Sequence, residues 1–91
     1  MCSWITETAE MSGAGKGPEG WFKLRQANVY YDHPYSAPMD HALIIDFVQD
    51  PERPGNRVAV EISAESARRL IRSIEAALST GIAAHEAQAA G

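Results

Sequence analysis

The spacing of apolar positions divides the chain into four short β segments and one amphipathic helix. In residues 4–11, WITETAEM, Ile5, Ala9 and Met11 lie opposite Trp4, Thr6 and Thr8, the period of two that belongs to a strand. Residues 21–32, WFKLRQANVYYD, are rich in aromatic and β-branched types and predict a second strand. Residues 41–48, HALIIDFV, predict a third, apolar enough to be central. Residues 57–62, RVAVEI, predict a fourth with Val58, Val60 and Ile62 on one side. The period then changes. Ala67, Leu70, Ile71, Ile74 and Leu78 recur at helical spacing behind Ser63, whose hydroxyl suits an N-cap, and Glu65 lies at the positive end of the helix dipole. Gly81 reads as the C-cap, which gives a helix over 63–80 about 27 Å long. The closing IAAHEAQAAG reads as a frayed helical extension or a flexible tail.

The connections carry turn chemistry. GAGKGPEG at 13–20 predicts a flexible hairpin loop, HPYSAPMD at 33–40 a turn broken by two prolines, and DPERPGN at 50–56 a tight turn. Three short links between four strands predict an α+β fold: an antiparallel ββββα meander with the C-terminal helix packed on one face. A single domain is expected over 1–80, with a tail over 81–91.

Strand parity then sorts the two faces. His41, Leu43, Ile45 and Phe47 share the greasier side of the third strand, and Ala27, Val29, Tyr31 and His33 share a side of the second. This His41–Phe47 side is expected to meet the helix. Ile44 and Val48 lie on the other side, with some of Trp4, Phe22 and Tyr30. One helix covers one face, so the apolar remainder predicts a homodimer formed sheet to sheet or by edge pairing.

Bulk composition narrows the function classes. The chain has 91 residues, enough for one domain. Its formal net charge of −4 lacks the basic face that nucleic-acid binding needs. No apolar run approaches the roughly 20 residues of a membrane span. The N-terminus has no signal-peptide pattern, and Cys2 is the one cysteine, so a reducing, cytoplasmic setting is expected.

Candidate chemistry gathers around the second turn, where His33 closes one strand and His41 opens the next. Two imidazoles with a carboxylate are a recurrent divalent-metal set for zinc or iron, and Asp32 and Asp40 are the nearest carboxylates. Without a metal, either histidine suits general acid–base work, and Tyr30, Tyr31 or Tyr35 could donate to a developing oxyanion. The competing reading makes Asp32 and His33 turn-formers and His41 a rim side chain. Cys2 would become an N-terminal nucleophile or chelating group if Met1 were removed. GAGKG is not a phosphate loop, because Gly17 follows the lysine and Pro18 opposes a helix, but Lys16 among glycine N–H groups could form a small anion nest. Arg68, Arg69 and Arg72, spaced to pair with Glu65 and Glu75, read as a solvated helix flank.

Met1-Cys2, Ile5, Glu7, SGAGKG at 12–17, GWF at 20–22, ANVYYDHP at 27–34, His41, IDF at 45–47, VAVE at 58–61 and SAESAR of the helix together form a pattern. It resembles a family of small uncharacterised actinobacterial proteins, a domain of unknown function. The resemblance reaches to about residue 78 and implies a cytoplasmic bacterial protein; it brings no activity with it. Two functional readings follow. One is a small homodimeric binding or accessory module that holds a partner or a small-molecule ligand on its sheet face and Tyr/His-rich rim. The other is a compact metal-dependent or acid–base enzyme centred on His33 and His41.

Overall fold

The computed structural model describes residues 6–50 and 56–90, with side chains as far as Glu86. The elements are β1 (Glu7–Gly17), β2 (Gly20–Asp32), β3 (Ala42–Val48), β4 (Arg57–Ile62) and α1 (Ala64–Ala90). All neighbouring strands pair antiparallel in the order β1-β2-β3-β4, the meander that the alternation predicts. Trp4, Ile5 and Cys2 lie outside the described residues, as do 51–55 of the third turn.

The glycine stretch is a strand and not a loop. Gly13 to Gly17 pair along β2, and only Pro18 and Glu19 form the turn. Proline at the first turn position sets φ for a type I turn, and Gly20 behind it takes φ +108°, the left-handed residue that this hairpin type requires. Between Glu10 and Gly13 β1 carries one residue more than β2 opposite it, a β-bulge. The bulge reverses parity, so Gly13, Gly15 and Gly17 share a face with Leu24 and Phe22.

This arrangement decides which side of the sheet is inside. A Cβ added at Gly15 would meet the tip of the Phe22 ring at 3.0 Å, and one at Gly17 would meet the same ring at 3.3 Å. The ring thus lies directly on bare backbone. At Gly17 the added carbon would also stand 3.6 Å from the Arg57 carbonyl oxygen, although the two residues belong to opposite edge strands. The sheet therefore curls into a trough. Among the described residues, Phe22, Ala42, Ile44 and Val48 are buried on its concave side and Ala27 alone on the convex side.

The helix adjoins the expected His41–Phe47 side, at Leu43, but most of the buried side chains lie on the opposite face. Val29, Leu43, Ile45, Phe47, Val58, Val60 and Ile62 share the convex side and are only half-buried.

Ser63 caps α1 as its position predicts: its hydroxyl accepts from the Ser66 N–H at 3.1 Å and its carbonyl from the Ala67 N–H at 2.9 Å. The helix does not stop at Gly81. It continues to Ala90 through an alanine-rich segment of high helix propensity, about 40 Å in all. Nor does it cover the sheet. Ala64, Ala67 and Arg68 line a hollow of about 430 Å³ with Tyr31 and Leu43 at the convex rim. Beyond them Leu70, Ile71, Ile74, Leu78 and Ile82 are 43–56% exposed. Ser63 is the whole connection between β4 and α1, too short for the helix to turn back across the strands. The molecule is accordingly elongated, 55 × 30 × 21 Å, with a radius of gyration of 15.8 Å against about 12 Å for a compact chain of this length. Among the described residues no helix is long and apolar enough to cross a membrane.

The ring-on-backbone contact predicts a sharp positional effect. Gly15→Val should cost about 1–3 kcal/mol through overpacking against Phe22. Gly13→Val, where nothing stands within 4 Å, should stay within about 0.5 kcal/mol. Urea denaturation of both variants measures the difference.

Candidate functional site

Alternation along three strands brings a polar set onto the concave face. Tyr30 of β2, Asp46 of β3 and Arg57 of β4 are diagonal neighbours in the register, within reach of long side chains. The Tyr30 hydroxyl donates to Asp46 Oδ2 at 3.3 Å. Arg57 donates from Nε at 3.1 Å and from Nη2 at 2.9 Å to Asp46 Oδ1. The carboxylate is largely shielded, its side chain 14% exposed, while Arg57 keeps one side toward solvent. Burial pushes the Tyr30 phenol above its ordinary pKa, and the negative charge and hydrogen bond of Asp46 push it further, against a smaller opposing pull from Arg57.

A second constellation fixes the loop over 33–41 above this set. Glu61 of β4 accepts from three successive backbone N–H groups: Tyr35 at 2.6 Å and Ser36 at 2.8 Å, with Ala37 at 3.0 Å. These bonds favour the ionised carboxylate and hold its pKa below the ordinary value. Pro38 then sits at the centre of a three-residue turn closed by the Met39 N–H to the Ala37 carbonyl, 2.9 Å. Loop and sheet enclose an open groove of about 700 Å³. Ile44, Ala59 and Met39 give it apolar walls, and Tyr30, Arg57 and Glu61 supply polar edges.

The residues singled out by the sequence take different partners. Asp32 Oδ1 accepts from the His33 N–H at 2.7 Å and ties off the end of β2. His33 Nδ1 lies 2.9 Å from the Asp40 carbonyl oxygen. A carbonyl only accepts, so Nδ1 carries the proton and the imidazole staples the loop ends together. His41, just before β3, stacks on Tyr31 with ring centroids 5.6 Å apart and planes at 16°. Both of those rings are exposed at the convex rim.

Among the described residues no three His, Cys, Asp or Glu side chains come together as a metal set. Cys2 lies outside them. Lys16 is an exposed strand residue opposite Trp21, and Gly20 is the one described glycine with positive φ, so an extended ladder replaces the expected nest around the lysine.

Sequence reasoning passed over Arg57 and Glu61. The signal was there in RVAVEI, since parity separates Arg57, Ala59 and Glu61 from the three apolar residues between and after them. What it could not supply was the pairing that sets Glu61 beside a loop some 25 positions earlier.

A family model described as a family of unknown function, DUF6295, matches residues 1–89. The chain belongs to that family. No curated protein and no solved structure matches it.

The DUF6295 chain should show two pH signatures. The pKa of Glu61 is lower in the folded than in the unfolded state. Its hold on the loop is therefore present at neutral pH and is lost as pH falls through the folded value. Amide shifts of residues 35–37 followed by NMR into acid should move together, and Glu61→Ala should make these amides exchange several-fold faster at neutral pH. At the alkaline end Tyr30 should ionise later than ordinary tyrosine, and Asp46→Asn should bring it earlier, read by ultraviolet titration.

Proposed function

We propose that this protein is a small homodimeric binding module of the bacterial cytoplasm. Its ligand is a small molecule held between the loop at 33–41 and the concave face of the sheet. The observation that carries this reading is the groove itself. Its volume of about 700 Å³ lies in the range of small-molecule sites, roughly 300–1,000 Å³, and it joins an apolar floor to a few fixed polar groups.

The state of those polar groups favours binding over catalysis. Asp46 is engaged by both Tyr30 and Arg57, and Glu61 by three amides. Groups satisfied in this way hold a shape and orient a ligand; a general base needs an open lone pair aimed at a substrate. The ligand chemistry that fits is a flat or branched apolar body with one acceptor group. The body would lie on Ile44 and Ala59, and the acceptor would meet the exposed side of Arg57. The single cysteine suits the reducing compartment assigned here.

Screening the protein by NMR with a library of small neutral and acidic aromatic compounds tests the assignment. Compounds that bind should shift the amides of Tyr30, Met39 and Ala59 as one set. Ala59→Trp, which fills the floor, should weaken them at least about tenfold, the equivalent of about 1.4 kcal/mol. Hits that map elsewhere, or that bind the Ala59→Trp protein equally well, would remove the groove from consideration.

A further inference from the structure

Among the described residues, two apolar surfaces lack a partner. One is the convex side of the sheet, where Val29, Leu43, Ile45, Phe47, Val58, Val60 and Ile62 remain half-open and Trp21 is 72% exposed. The other is the helix stripe of Leu70, Ile71, Ile74, Leu78 and Ile82. They adjoin: Ala64 and Ala67, which begin the stripe, line one hollow with Leu43 and Tyr31 of the convex side. The single-residue link at Ser63 keeps the chain from folding one onto the other.

From this we infer that a second copy of the chain covers both surfaces by reciprocal exchange, each helix laying its apolar stripe across the convex sheet face of its partner. The inference rests on the homodimer reading above and adds how that dimer is built.

Area supports the choice of occupant. The chain exposes 7139 Å², whereas a compact monomer of 9.9 kDa exposes about 5,200 Å². The excess is roughly 1,900 Å² per chain, and two such chains together fall within the roughly 2,000–5,000 Å² buried by obligate dimers.

Dimensions agree as well. The stripe from Leu70 to Ile82 is about 18 Å long at 1.5 Å per residue. The convex apolar residues lie on three strands at about 4.8 Å spacing, a breadth that the stripe spans. Symmetry supplies the remaining argument. Pairing helix with helix alone leaves the convex face open, and pairing sheet with sheet alone leaves the stripe open. A two-fold axis that exchanges helices covers both with one kind of contact used twice.

Light scattering on the unsubstituted protein comes first and should give twice the chain mass of 9.9 kDa. Cross-linking then distinguishes the arrangements. Ile74→Cys and Val60→Cys are made separately in a Cys2→Ser background, checked by circular dichroism, mixed and oxidised. Exchange predicts a disulfide between the two different variants. Bridges between two Ile74→Cys copies alone would overturn the exchange and leave the homodimer standing. A mass of one chain at all concentrations would overturn both. Because the mass measurement needs no substitution, failure of a variant to fold leaves that outcome readable.

Discussion

The contact of one aromatic ring with bare glycine backbone governs this structure. Phe22 lies on Gly15 and Gly17, and no side chain intervenes. That contact lets β1 bend over the ring until it approaches β4, and the bend selects the concave side as the interior. In a sheet of only four strands the choice has wide effects. The concave side gains its burial from the sheet's own curvature and from the loop at 33–41, and the helix plays little part. The helix is then free to extend, and the convex residues that the alternation made apolar are left for another surface.

Seen this way, the polar set on the concave face is a product of the same curvature. Tyr30, Asp46 and Arg57 would stand apart on a flat exposed sheet. Within the trough Asp46 is shielded from water, so its contacts with a phenol and a guanidinium are stronger than at an open surface. Glu61 extends the set upward by fastening three amides of the overlying loop. The groove is therefore framed on two sides by groups that hold each other in place, the preorganisation that selective binding draws on.

Local pattern made much of this legible. The four strands, the N-cap at Ser63 and the exact bounds of β4 follow from alternation and capping chemistry. Parity correctly separated Ile44, Asp46 and Val48 from Leu43, Ile45 and Phe47.

What failed did so for identifiable reasons. GAGKG looked like a loop because glycine disfavours strands, yet here the missing side chains make room for Phe22. Gly81 looked like a stop because glycine commonly ends helices, yet the alanines beyond it carry the helix on. The inside face could not be read from hydrophobicity, because the greasier side is the one left half-open. For His33 and His41 the sequence showed closeness but not partners, which the fold supplies as a backbone carbonyl for one and a tyrosine ring for the other. The groove-forming Glu61 was hidden because its partners are distant in the chain.

The extra residue between Glu10 and Gly13 has a consequence for how such a chain can vary in length. It acts as a phase shifter: downstream of it, odd-numbered positions look inward where even-numbered ones did before. Losing that residue would rotate the remainder of the strand by half a period and set Lys16 where Gly15 now admits the aromatic ring. Changes of two residues at this point would preserve the phase, and changes of one would invert it. Relatives that keep this architecture should therefore differ here by even steps.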